Sequence, residues 1–222
     1  MASSSDRGSG VVFDADCVRC QRLAAHLAQV RLDYPHYYAR PVPSFGDPNA
    51  QLLVVGLAPG MHGGNRTGRP FIGDQSGALL FDTLYAFGYS NHPAALELSD
   101  DLVLHNCRIV NAVKCLPPQN RPSAEEVHHC NDYLSAEVSS VAAGGVVVAL
   151  GRVAHEAVLR THGLKNKTCR FAHAAVHQLP GRLSLVDSYH CSRYNTQTRR
   201  LTPDMFTQVF EISRCLLSSN GS

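Results

Sequence analysis

No apolar run in this chain is long enough to cross a bilayer; the longest, VAAGGVVVAL at 141–150, is interrupted by two glycines. The opening MASSSDRGSG lacks the hydrophobic stretch of a secretory signal and reads as a loose tail, expected to be disordered over 1–12. No repeat and no low-complexity linker divides 13–222, so a single domain is expected there. These absences point to a cytoplasmic, monomeric protein with no membrane partner. Charge of one sign is also scarce: the net charge is +2 and the pI about 8.2, which permits nucleic-acid binding without arguing for it. The eight cysteines, in a reducing compartment, read as thiols or metal ligands rather than disulfides.

What is present is an alternation of β-rich runs with helix-period segments. QLLVVGL precedes SGALLFDTLYAFG; RIVNAVKC precedes SAEEVHHCNDYLSAEVSSV; GGVVVALG runs into RVAHEAVLRTHG; RLSLVDSYH precedes TPDMFTQVFEISRCLL. Ser123 with Glu126 forms a capping-box signature, and Thr202 or Pro203 starts the last helix. A further helix, QRLAAHLAQVRL, precedes the first strand. The pattern predicts an α/β fold, a three-layer α/β/α sandwich around a four-stranded parallel sheet. Ligands of such sheets sit at the carboxyl ends of the strands, which gathers three loops around one cleft.

The first of those loops, GLAPGMHGGNRTGRPFIGD at 56–74, holds six glycines and two prolines. A loop that loses so much entropy on ordering suits close main-chain approach to a ligand. It is neither a P-loop, since no Lys followed by Ser or Thr closes it, nor a dinucleotide fingerprint, since no helix opens directly after G-x-G-x-x-G. The other two loops carry KCLPPQNRP and SYHCSRYNTQT.

Together, GLAPG…GNRTGRPFIGD, NAVKCLPPQNRP and SYHCSRYNTQTRRLT resemble the three motif regions of the uracil-DNA glycosylase superfamily, most closely family 5, the iron–sulfur type. The resemblance runs from Cys17 to the last helix. It implies excision of deaminated bases from DNA, uracil first and also hypoxanthine and xanthine, leaving an abasic site. Such an enzyme extrudes the nucleotide and holds the base in a snug pocket. Phe71 would stack on the base, and main chain of Gly56, Leu57, Ala58 and Gly60 would line its edge. Asp74 would stabilise the cation-like sugar and orient water, while His190 would hydrogen-bond an oxygen of the leaving base. Asn120 would read the base amide edge, an Asn side chain being both donor and acceptor, with Asn111 as the second candidate. Ser192, Arg193 and Asn195 would hold flanking phosphates, and the wedge that fills the vacated stack is expected within 191–200.

The sequence departs from the wider superfamily in places. Leu57 and Ala58 occupy positions where relatives outside family 5 carry an acid or amide, Cys191 replaces a common Pro, and Arg199 stands where a Gly is expected. Bland roles compete: Phe71 as a core plug, Asp74 as a helix-start carboxylate, Arg193, Arg199 and Arg200 as a solvated charge run. His173 and His177 read as surface or packing residues, with no third ligand for a metal.

Cys17, Cys20, Cys115 and Cys130 make a C-x2-C…C-x14-C pattern, which by spacing alone suits zinc or an iron–sulfur cluster. The resemblance implies a 4Fe-4S cluster pinning the N-terminal helix beside PPQNRP. Cys107, Cys169, Cys191 and Cys215 read as buried or partly buried thiols. Two rival readings are a non-catalytic, metal- or cluster-stapled nucleic-acid-binding module and a hydrolase of free nucleotides.

Overall fold

Four short runs carry apolar side chains on both strand faces, so they need cover above and below; parallel sheets between helices supply it. The computed structural model describes residues 11–73, 75–93 and 101–220. In chain order its elements are α1 (Gln21–Asp33), β1 (Phe45–Gly46), β2 (Leu52–Gly56), α2 (Gly64–Thr67) and α3 (Gln75–Ala86). There follow β3 (Cys107–Asn111), α4 (Ala124–Ser140), β4 (Val146–Leu150), α5 (Arg152–Thr161), β5 (Val176–Leu179), β6 (Leu183–Ser188), α6 (Arg193–Gln197) and α7 (Pro203–Asn220). The expected tail falls outside the described residues except for Val11 and Val12, both exposed.

The sheet order is β1-β3-β2-β4-β6-β5. Its centre, β3-β2-β4-β6, is the expected parallel set. The sheet has six strands rather than four, because β1 and β5 add antiparallel edges to β3 and β6. Neither edge has a readable signature: β1 is two residues long, and VHQL in β5 is largely solvent-facing.

Alternation along the strands divides the core in two. Leu53, Val55, Val147 and Ala149 face a layer containing α1, α4 and α5. Leu52, Val54, Val146 and Val148 face α3 and α7, with Phe81, Phe206 and Phe210 fully buried. Of the four remaining cysteines, Cys107 and Cys191 are buried and Cys169 half-buried, but Cys215 is exposed. It lies in α7 on the outward face, beside Leu216 and Leu217, which pack on the core.

Two caps set helix positions. Thr202 Oγ1 accepts the Met205 N–H at 3.2 Å at the start of α7. Ser123 and Glu126 form a full capping box on α4, and Glu126 also takes a two-pronged bond from Arg22 of α1 at 2.8 and 2.7 Å. The Arg22 bond, with the cap, holds the Glu126 carboxyl below the ordinary Glu range despite burial. The stabilisation is therefore present above the unfolded Glu pKa and lost as pH falls through the lower folded value. Ser123→Ala is expected to lower unfolding free energy by about 1 kcal/mol, measurable as a shifted denaturant midpoint at unchanged m-value.

Candidate active site

The helix after β2 covers one face of the sheet and the helix after β3 covers the other, so a crevice opens at the carboxyl ends of these two neighbours. A cleft of about 600 Å³ occupies it. Leu57, Ala58, Gly60, Phe71, Asn111 and Asn120 line it, as do His190, Ser192 and Arg193.

The glycine-rich loop is more ordered than its composition suggests. Its middle forms α2, and its main chain bonds to the 38–39 segment through Tyr38 N–H to Arg66 O (3.0 Å) and Ala39 N–H to Asn65 O (2.9 Å). Phe71 has φ +64, a left-handed conformation uncommon for an aromatic residue, and is 6 % exposed. Both the core-plug and the stacking readings have a basis: Phe71 packs on the α3/α7 core while its ring lines the cleft. Gly56 does not line the cleft; it makes room for what does. A Cβ there would lie 2.5 Å from Asn111 Oδ1 and 2.6 Å from the Phe71 ring.

His190 faces Phe71 with ring centroids 6.2 Å apart and planes 25° apart. It follows β6, not a neighbour of β2, yet reaches the crevice by leaning over Gly151, whose φ of +99 and missing side chain clear the way. Burial pushes the imidazole down to about 4, so it is neutral at pH 7. Among the described residues neither ring nitrogen has a hydrogen-bond partner, while the backbone carbonyl is held by Asn195 Nδ2 at 2.8 Å. A neutral ring has one N–H to donate, the arrangement needed to stabilise an oxygen that gains charge.

The two asparagines differ. Asn111, at the end of β3, is 3 % exposed, and its Oδ1 is buried with no partner among the described residues. Buried polar atoms are nearly always paired, and one left open beside a cleft suits a ligand donor. Asn120 is exposed, at φ +55 on a turn at the cleft mouth. Ser192 caps α6 by accepting Asn195 N–H at 3.4 Å, and Arg193 is exposed. Asn195 is turned to the His190 carbonyl instead of the cleft. Asp74 lies outside the described residues; its sequence neighbours Gly73 and Ser76 both line the cleft.

Sequence reasoning missed His62, Gly73 and Ser76 in the lining. His62 is tied to Tyr37 by a 2.8 Å bond from a segment far away in the chain, and nothing local marks that pairing.

On the far side of α1, the sulfur-bearing residues Cys17, Cys20, Cys115 and Cys130 line one small cavity. Lys114 N–H donates to Cys130 Sγ at 3.3 Å, and Cys20 Sγ lies 3.7 Å from His129 Nδ1. Burial, then the neighbouring Cys130, pushes the Cys20 thiol up to about 11, and burial raises Cys115 and Cys130 as well. No three of these sulfurs lie within 4.8 Å of one another; the group of that closeness among the described residues is His155, His177 and Asp187. His177 thus has the further ligand-type partners that sequence reading denied it, and His173 is not among them.

Comparison with known proteins agrees with this geometry. The family model described as uracil DNA glycosylase superfamily matches residues 43–213. A type-5 uracil-DNA glycosylase of Thermus thermophilus is 46 % identical over 92 % of this chain and 95 % of its own length. One from Pyrobaculum aerophilum is 43 % identical over 87 % and 86 %. A type-4 uracil-DNA glycosylase of Archaeoglobus fulgidus is 29 % identical over 77 % and 81 %. With the matched span holding every cleft residue named above, the chain belongs to the uracil-DNA glycosylase superfamily, beside its type-5 members.

Proposed function

We propose that this protein excises uracil from DNA, leaving an abasic site, and takes hypoxanthine and xanthine in the same pocket. The observation that carries the reading is the meeting of Phe71, neutral His190 and the unpaired Asn111 oxygen in one cleft at the sheet's switch point. An Asn amide complements a ring N–H beside a C=O, an edge that uracil, hypoxanthine and xanthine share. The burial of Asn111 favours it over Asn120 for this contact. Asn111→Ala is expected to slow excision of uracil and hypoxanthine together by about tenfold or more, with Asn120→Ala the milder variant in single-turnover assays.

In the reaction the C1′–N bond breaks, the electron pair leaves with the base, and water adds to C1′ of the cationic sugar. His190 donates its N–H to the base oxygen where charge collects. Asp74 would balance the sugar cation and orient the water, giving its role to a residue whose chain neighbours line the cleft. Ser192 and Arg193 would take phosphates, fixing position rather than sequence. Tyr194, 70 % exposed beside them on α6, is the candidate wedge for the vacated stack.

The four cysteines suit a 4Fe-4S cluster. Four cysteines around one small cavity supply a full thiolate set, and a backbone N–H on Cys130 Sγ suits a thiolate ligand. Bound there, the cluster would supply structural cross-linking of the N-terminal segment to α4. Cys115→Ser is expected to lower bound iron and acid-labile sulfide and to lower the melting temperature, read by metal analysis and calorimetry.

The test of the function is an alkali-cleavage assay on a labelled duplex with one U·G pair, run beside free dUMP. A break at the uracil that weakens as salt rises supports the reading. Binding without breakage would favour a binding module, and turnover of dUMP alone a nucleotide hydrolase.

A further inference from the structure

Outside the cleft, the densest set of titratable side chains is His155, His177 and Asp187. His155 Nδ1 lies 2.7 Å from Asp187 Oδ1, and His177 Nε2 lies 3.0 Å from Oδ2. Each carboxylate oxygen serves a different ring at hydrogen-bond length, which describes a proton network rather than ligands aimed at one ion. His155 Nε2 meets the Cys169 carbonyl at 3.0 Å, so both ring nitrogens of His155 face acceptors, an arrangement that suits the protonated ring. Burial opposes that charge, but the bond to Asp187 outweighs it and holds His155 above its ordinary value.

The network clamps the 169–175 segment against β6. Asp187 also takes Ala172 N–H on its carboxylate (3.4 Å) and Ala174 N–H on its carbonyl (2.8 Å), and gives its own N–H to Ala175 O (2.9 Å). What this clamped segment presents to the active site is His173. Its Nδ1 accepts the Tyr189 N–H at 3.1 Å, its Nε2–H donates to the Met205 carbonyl of α7 at 3.2 Å, and its ring stacks on Tyr189 at 5.0 Å and 22°. Tyr189 is the residue bonded to His190.

We propose that His173 is a positioning residue for His190: by accepting the Tyr189 N–H and stacking on its ring, it fixes the strand end from which His190 reaches the leaving base. The inference rests on the glycosylase reading above. Nδ1 can accept only while it carries no proton, so protonation would set two donors face to face and release Tyr189. Burial keeps His173 below its ordinary value, which preserves the acceptor at neutral pH. The groups around it are Tyr189, whose ring Arg200 covers at 4.9 Å, and Asp187, whose carboxylate is committed to His155 and His177. On α7 the acid next to Met205, Asp204, is exposed.

The test compares wild type, His173→Leu and His173→Asn in single-turnover excision on the U·G duplex between pH 8 and 5, with DNA affinity measured alongside. Asn keeps an acceptor near the Nδ1 position and does not titrate. His173→Leu is expected to be slower by roughly tenfold or more, a size typical of a catalytic group displaced by up to an ångström, with DNA affinity unchanged. His173→Asn should recover most of the rate and lose the wild-type decline below pH 6.5. Full rate in His173→Leu, or an Asn variant as slow as Leu, overturns the proposal. If the Leu variant does not fold, an Asn variant that retains the wild-type acid decline overturns it alone. The His190 ring resonance in the free protein, expected to shift in His173→Leu but little in His173→Asn, reads positioning without any substrate. A wild type that cleaves no uracil duplex would sink the glycosylase reading and leave that resonance to decide the positioning.

Discussion

His190→Ala is expected to slow uracil excision by about a hundred- to a thousandfold, the usual effect of removing one preorganised donor to a developing anion, while duplex binding changes little. The size follows from three features of the ring. It is neutral at pH 7, with one ring N–H to offer. It is already placed, by Asn195 on its carbonyl and by the packing of its Cβ over Gly151. And it faces Phe71, so a base held on that aromatic face arrives beside the donor. Because the ring titrates near 4, its charge state is the same from pH 8 to 5, so a decline in that interval belongs to another group. His190→Gln, which retains an N–H donor, should fall between wild type and Ala. Alkali-labile break formation under single turnover measures all three. An Ala variant within threefold of wild type would remove His190 from the chemistry.

The parallel centre of the sheet was legible because LLVVG, CRIVN, VVVAL and LSLVDS are apolar on both faces, and a strand so patterned has few other places to go. The capping box on α4 was legible because its partners are three residues apart. The edges β1 and β5 were not, since short strands with mixed exposure leave no periodic trace. Within the site, Phe71, Asn111, Asn120 and His190 were nominated through the resemblance of the three loop motifs to the glycosylase superfamily. The sequence put Asn120 ahead of Asn111; what favours the reverse order is burial and an unpaired oxygen, both products of packing that no local pattern shows. Asn195 has a contact that its type did not announce: one of its amide N–H groups holds the His190 carbonyl five residues back. The His155–Asp187–His177 network joins α5, β6 and β5 across gaps of 32 and 10 residues, and no local pattern announces it.

The second large effect is expected at a residue with no chemistry of its own. Gly77→Ala places a methyl group in α3 where alanine ordinarily improves a helix by about 1 kcal/mol. Here the added Cβ would lie 1.8 Å from the Phe71 carbonyl oxygen and 3.0 Å from its carbonyl carbon. Both atoms are backbone, so no rotamer change relieves the clash; either the helix or the 71–73 turn must move. Phe71 sits in that turn at φ +64, with its ring between the core and the cleft, and a shift of an ångström there moves the face on which the base would stack. Misplacement on that scale costs about a hundredfold in rate when catalysis depends on alignment. The expected result is therefore a variant whose uracil excision drops by about that factor while the iron content proposed for its four cysteines, on the other side of the sheet, stays at the wild-type amount. Single-turnover rates and iron content measured on one preparation check both halves. Gly77→Ala at full rate would mean that α3, not the 71–73 turn, gives way to the added methyl group, and the expected displacement of Phe71 would be overturned.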